Sequence, residues 1–290
     1  MTRLHIYAVL VGGVFMLSTS GIFARISSAP PVITAFYRLF FASLVLWPAL
    51  LIRKATREEF FSITKESLAL CIAGGFFLAI HYSMWFFSVQ LTSVSSATIL
   101  ASLQPLFSMI IGWVAIREKI TKKSLFGAAI ALAGTTIIGW GDFRTDSNAL
   151  IGDIIALSSA GLISLYYFFG QLACKKISNS TFATLGYTSS VVTLFVLAII
   201  IHAPFSGYPT ATWGSFLGLA YISTIGGQMV LTSLLKHITA TMVTMSILGE
   251  PIGVCILAAI FLKEYPTIQI LVGMPVILVG LFIFFNGQTK

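Results

Sequence analysis

Long apolar stretches, separated by short polar segments, run through the whole chain. As a helix, a stretch of about 20 apolar residues crosses a hydrocarbon core of roughly 30 Å with its backbone hydrogen bonds made internally. Ten such stretches are present, so the pattern predicts an all-α membrane protein with ten transmembrane helices. The predicted spans are 4–25, 32–52, 68–89, 94–116, 123–140, 150–172, 181–202, 213–235, 239–262 and 266–286.

The composition supports this prediction. Only 9% of the residues are charged, 57% are apolar and the mean hydropathy is +0.97. A soluble protein of 290 residues could not cover its surface with so few charges. The net charge of +8 does not indicate a nucleic-acid partner, because the basic residues lie in short segments between spans and form no basic domain.

Basic side chains are concentrated on one side of the predicted membrane. With the N-terminus inside, 13 of the 17 Lys and Arg lie on the cytoplasmic side, three lie on the other side, and Arg38 lies within a span. Short cytoplasmic loops carry an excess of Lys and Arg. The bias therefore predicts a multi-pass protein of the cell inner membrane with both termini in the cytoplasm.

An ungapped repeat displaced by 146 residues divides the chain. Aligning 90–139 with 236–285 gives 10 identities in 50 positions. The spacing predicts two copies, 1–144 and 145–290. Each copy has five spans, an odd number, so the second copy enters the membrane from the opposite side. In transporters built from such repeats the substrate site lies between the copies, and we expect it there. The clearest repeated positions are Pro105, Glu118, Gly127 and Gly134, which recur as Pro251, Glu264, Gly273 and Gly280.

These motifs resemble the half-repeat of the EamA family of the drug/metabolite transporter superfamily. The resemblance implies ten helices in two inverted five-helix units around a central cavity, and secondary transport of small solutes, with export favoured. Spans seven to ten hold no Lys or Arg in their middles, unlike the sugar-phosphate exchangers of the superfamily, which disfavours a phosphorylated substrate. The segments that carry the resemblance are 31–46 with Arg38, 91–100, Gln104-Pro105, 117–119, 127–134, 238–242, 249–251, Lys263-Glu264, Gly273 and Gly280.

Glu250 is the carboxylate predicted deepest in the membrane, the twelfth of 24 residues in span nine. An ionised group there costs about 2.5 to 3.5 kcal/mol or more, so it is expected to bind a cationic substrate group, exchange a proton or play a structural role. Pro251 is a predicted helix break that frees a backbone carbonyl beside Glu250. Gln104-Pro105 repeats the arrangement without the charge, with Pro105 as the corresponding predicted break. Arg38 either snorkels to the outer interface or points inward to a substrate carboxylate or Glu250.

Polar and aromatic residues in other spans are further candidates for the substrate or coupling site. His81 and Trp85 share one face of span three, where His81 is either a hydrogen-bonded buried residue or a proton relay. Tyr82 and Tyr166 could form walls for an amphipathic solute. Gln228 follows two adjacent glycines in span eight, which makes a bend there a candidate feature.

The leading prediction is a secondary active transporter of small polar or amphipathic metabolites, such as amino acids or their derivatives. Its expected partners are the solute, the lipid bilayer and protons as the candidate coupling ion. Organic cations, including drug-like cations and S-adenosylmethionine, are the alternative substrates. An intramembrane enzyme or lipid flippase is a further alternative of a different class. The sequence contains no phosphate-binding loop and no spaced His/Cys cluster, so no enzyme activity, cofactor or metal is predicted.

Overall fold

The computed structural model describes residues 2–92, 97, 100–139, 147–261 and 268–288, and over these residues it is helical without strands. The prediction of an all-α protein is confirmed over these residues. The helices are α1 Arg3–Ile26, α2 Pro31–Ile52, α3 Lys54–Phe61, α4 Lys65–Leu91, α5 Gln104–Ile116, α6 Lys122–Gly139, α7 Ser147–Ala173, α8 Asn179–Ile200, α9 210–236, α10 Ala240–Ile247, α11 Glu250–Phe261 and α12 Ile268–Gly287.

Hydroxyl side chains define where several of these helices begin. The hydroxyl oxygens of Thr2, Thr64, Ser178 and Thr239 each accept a hydrogen bond from the backbone N–H three residues later. Such N-caps satisfy a donor that has no partner inside the helix. They start α1, α4, α8 and α10 close to the starts of predicted spans one, three, seven and nine.

Six of the described helices are long and apolar enough to cross a membrane: α1, α2, α4, α7, α8 and α9. Shorter apolar helices occur at Gln104–Ile116, Ala240–Val254 and Leu271–Gly287. The protein is therefore a multi-pass membrane protein, whereas the count of ten spans stays a prediction. The eight-residue helix α3, between spans two and three, was not predicted.

Two predicted spans contain a helix start at their middle. Within span four, α5 begins at Gln104, with Pro105 in its first turn. Within span nine, α10 ends at Ile247 and α11 begins at Glu250. Because Pro251 has no N–H to donate back along the chain, the α-helical ladder is interrupted just before it.

Helices from the two halves interleave. The most extensive packing joins α6 to α12, α4 to α7, α4 to α8, α1 to α9 and α2 to α8. The 146-residue repeat makes α4 equivalent to α9, α5 equivalent to α11 and α1 equivalent to α7. The packing of α4 and of α5 against α7 is therefore equivalent to the packing of α9 and of α11 against α1. We therefore distinguish two groups, α4–α5–α7 and α1–α9–α11, each of which contains helices from both halves.

Candidate functional site

Arg38 lies inside the helix bundle. Its side chain on α2 is only 2% exposed, and Nε donates to Thr224 Oγ1 on α9 at 2.7 Å. The guanidinium lies 4.3 Å from the centre of the Tyr82 ring on α4, in a cation–π contact. Nη2 has no hydrogen-bond partner among the described residues. The sequence left two orientations open, snorkelling to the outer interface or pointing inward, and in the structure the Arg38 side chain points inward.

Tyr82 and Gln228 connect the two halves at equivalent positions. The Tyr82 hydroxyl donates to Gln228 Oε1 at 3.2 Å, and the two residues are 146 positions apart. Equivalent residues of two copies can touch only near the axis that relates the copies, so this bond marks the centre of the repeat. Gln228 Nε2 is a second buried donor for which the described part of the chain offers no acceptor.

Glu250 begins α11 and is partly buried. Its backbone carbonyl accepts a hydrogen bond from Ser18 Oγ on α1 at 3.0 Å. Its carboxyl group lies beside the Ser20 hydroxyl and interacts electrostatically with Arg38. Among the ion pairs of the described residues, none joins Arg38 to Glu250, so both groups can interact with a third charged molecule.

Gln104, the repeat equivalent of Glu250, is held in the same way. Its backbone carbonyl accepts from Ser164 Oγ at 2.7 Å, and Ser164 is the repeat equivalent of Ser18. Both serines also donate to the carbonyl four residues earlier in their own helix. The two helix starts therefore share one anchoring geometry and differ in charge, since Gln104 is neutral.

Tyrosine side chains form a wall of this site. Tyr166, Tyr167 and Tyr187 are almost fully buried. The Tyr166 and Tyr187 hydroxyls interact with each other, but neither makes a hydrogen bond of ordinary geometry within the described residues. Tyr187 also lies within electrostatic range of Arg38 and Tyr82. We call Arg38, Tyr82, Gln228, Glu250 and the three wall tyrosines the central cluster.

His81 and Trp85 differ in their relation to the central cluster. His81 Nδ1 lies 2.9 Å from the backbone carbonyl of Ser159 on α7, and its ring lies 5.2 Å from the Tyr82 ring. A backbone partner fixes the ring and is typical of a structural histidine. Trp85 packs against Phe86 with ring centres 4.9 Å apart, and the described contacts do not bring it to Arg38 or Glu250.

A π-helical segment of α9, Leu219–Met229, supplies two polar partners of the cluster. π-helical turns are rare and occur often at functional sites. Thr224 and Gln228 lie one turn apart on it. Gly227 allows α1 to approach, because a Cβ atom there would lie 2.7 Å from the Leu17 backbone nitrogen. The segment contains the two glycines that made a bend a candidate.

The sequence interpretation missed Thr224, Tyr187 and the anchoring role of Ser18 and Ser164. One signal was available, because the 146-residue shift pairs Ser18 with Ser164 and Tyr82 with Gln228. No comparable signal identified Tyr187. Within the described ranges, no group of three His, Cys, Asp or Glu side chains could hold a metal ion. The central cluster instead offers buried donors, one carboxylate and aromatic walls, which can bind a small charged solute.

Comparisons with known proteins agree with this architecture. The model of the EamA-like transporter family matches residues 4–140 and again 150–286, and both ends of the two matches are 146 residues apart. The transporter YxxF of Bacillus subtilis is 23% identical over 273 residues, which cover 94% of this chain and 86% of YxxF. The riboflavin transporter ImpX of Fusobacterium nucleatum is 27% identical over 174 residues, 58% of each chain.

A protein of known crystal structure has the same fold. It superposes with a TM-score of 0.81 over 99% of both chains at 16% sequence identity. At this identity the likeness is evidence for the fold alone.

Proposed function

Because the chain belongs to the EamA-like transporter family, we propose that its central cluster binds an amino acid or an amino-acid derivative. Alternating access of this cluster then carries the solute across the cell inner membrane, with both termini in the cytoplasm. The family resemblance favours export. Ten spans in two inverted five-helix units, 1–144 and 145–290, provide the two related packings that such a cycle needs.

The observation that carries this proposal is a pair of buried donors without acceptors in the same cluster as a carboxylate. Arg38 Nη2 and Gln228 Nε2 are buried donors without acceptors in the described residues. A buried donor without a partner costs about 1 to 3 kcal/mol. A substrate carboxylate that accepts hydrogen bonds from these groups removes this cost, which favours binding. Glu250 supplies an acceptor for an ammonium group in the same cluster. Together they match a zwitterion.

The alternative substrates fit this arrangement less well. A purely cationic solute would be repelled by the guanidinium of Arg38, which is the buried cation beside Glu250. The similarity to a riboflavin transporter covers 58% of the chain and leaves a neutral heterocycle as a second candidate, since amide and carbonyl groups could also accept from Arg38 and Gln228. An intramembrane enzyme or a flippase gains no support from the described contacts.

Glu250→Gln tests the proposal in purified protein reconstituted into liposomes. The amide keeps the size of the side chain but replaces a charge-assisted bond to the ammonium with a neutral one. Hydrogen bonds to charged groups contribute about 1.5 to 3 kcal/mol, so we expect the half-saturating concentration for exchange to rise by about ten-fold or more. Glu66→Gln is the matched control, because Glu66 pairs with Lys176 at an exposed position.

Three measurements on one preparation separate the roles of Glu250: exchange, uptake driven by a pH difference, and melting temperature. Normal exchange with loss of pH-driven accumulation would contradict ammonium binding and assign Glu250 to proton coupling. A lower melting temperature with normal activity per folded molecule would contradict both functional roles and leave a structural one.

A further inference from the structure

Two side-chain acceptors hold the start of α10, outside the central cluster. Glu118 Oε2 accepts a hydrogen bond from Thr241 Oγ1 at 2.9 Å. Gln171 Oε1 accepts from the backbone nitrogen of Ala240 at 2.6 Å. Glu118 follows the end of α5, and Gln171 lies in the last turn of α7. The first residues of α10 are therefore tied to two other helices.

The turn after α5 positions the Glu118 carboxylate. Arg117 adopts a left-handed backbone conformation with φ of 52°, and the Glu118 backbone N–H donates to the Gly112 carbonyl at 3.0 Å. This left-handed C-terminal cap folds the chain back over α5. The carboxylate then lies directly over Gly112, where a Cβ atom would overlap Oε2.

These bonds hold α10 against the α4–α5–α7 group. α10 packs mainly on α5 and α7 and less extensively on α1, and it continues through a two-residue turn into α11 of the α1–α9–α11 group. Glu250, which begins α11, follows Thr241 by nine positions. A movement that separates α10 from α5 and α7 must break both bonds, and it displaces the helix that leads to Glu250.

We propose that Glu118, Gln171, Ala240 and Thr241 form a latch that keeps one entrance of the transporter closed. This inference rests on the alternating access proposed above. In the described state the latch is formed, and its release opens the α5–α10 end. The charge bias predicts that this end is cytoplasmic, because Arg117, Lys119 and Lys122 surround it.

The test measures access to a cysteine behind the latch. Ser108 on α5 is 3% exposed and its hydroxyl has no partner among the described residues, so Ser108→Cys in a protein without native cysteines is a suitable reporter. Ser108 lies four residues before Gly112, which the Glu118 carboxylate covers, so it is roughly 6 Å from that carboxylate along the axis of α5. A membrane-impermeant methanethiosulfonate is applied in turn to each face of sealed vesicles, and the labelling rate is measured for Glu118→Ala, Thr241→Val and the double variant.

We expect each single variant to raise the labelling rate from the α5–α10 side about ten-fold. The double variant should label no faster than the faster single variant, because the two changes remove the same bond. Thr241→Ser retains the hydroxyl and should restore the slow rate. Thr244→Val is the control with unchanged labelling, since the Thr244 hydroxyl bonds to its own helix at the Thr241 carbonyl.

Unchanged rates in the single variants, or a double-variant rate equal to the product of the two single effects, would overturn the latch. If Glu118→Ala does not fold, the comparison of Thr241→Val with Thr241→Ser tests the latch on its own. Equal labelling rates for these two variants would overturn the proposal. The labelling needs no substrate. Labelling rates that contradict the latch therefore leave the substrate proposal intact. If labelling follows the expected pattern but Glu250→Gln does not change exchange as expected, only the substrate proposal is overturned.

Discussion

Replacing Arg38 with lysine separates charge from geometry at the central cluster. The native guanidinium donates through Nε to Thr224, lies on the Tyr82 ring and still has Nη2 free for a substrate. Lysine keeps the positive charge but has a single nitrogen and no planar fork, so it cannot bind a carboxylate bidentately while it also contacts Thr224. The variant tests the fork rather than the charge.

The expected loss follows from the bond that lysine cannot make. A hydrogen bond to a charged group contributes about 1.5 to 3 kcal/mol, and a factor of ten in affinity corresponds to about 1.4 kcal/mol. We therefore expect Arg38→Lys to weaken apparent substrate affinity by roughly 10- to 150-fold. Its melting temperature should change less than that of Arg38→Ala, which also removes the contact with the Tyr82 ring.

The assay is competition for exchange in proteoliposomes, with the amount of folded protein measured in each sample. Arg57→Lys is the control, because Arg57 is exposed on α3 and should have wild-type affinity after substitution. Wild-type affinity in both Arg38→Lys and Arg38→Ala would refute the reasoning, since the side chain would then serve the fold alone.

Two other predictions concern topology and packing. In a cysteine-free protein, Asn148→Cys should react with an impermeant reagent from outside and Lys122→Cys from inside. Reaction of both cysteines from the same face would disprove the inverted repeat. Gly280→Ala should lower the melting temperature, because its Cβ atom would overlap the Ala131 backbone nitrogen where α6 meets α12 and overpacking costs about 1 to 3 kcal/mol. Gly12→Ala, with open space around its Cβ, is the control, and equal melting temperatures for the two variants would show that this close approach is not needed.

The sequence predicted the local features of the fold. Apolar length indicated most helices, and Pro251 indicated the interruption before α11. The interleaving of the two halves was not predictable from the same pattern. Lipid-facing and buried residues are similarly apolar in a membrane protein, so periodicity does not identify which helices are neighbours. The short helix α3 was missed because its sequence, 54–61, is polar and has no membrane-length apolar stretch.

The candidate site was partly predictable, because rare polar residues within spans are informative. Arg38, Glu250 and Gln228 were identified in this way and lie close to Tyr82, which was predicted as an aromatic wall. The contacts that orient them come from Ser and Thr hydroxyls, which are common in these spans and carry no distinctive pattern. Trp85 shares a helix face with His81, but the contacts of the described residues do not join it to Arg38 or Glu250.

The most direct test of the central claim is solute counterflow in liposomes that contain the wild-type protein. Labelled amino acids are screened for exchange, and for each transported amino acid the corresponding amine without the carboxylate and the acid without the amino group are added as competitors. We predict exchange of at least one amino acid and about ten-fold weaker competition by either truncated analogue, because each analogue loses a hydrogen bond to a charged group. Competition by the amine as strong as that by the amino acid, or counterflow of organic cations without counterflow of any amino acid, would contradict binding of a zwitterion between Arg38 and Glu250.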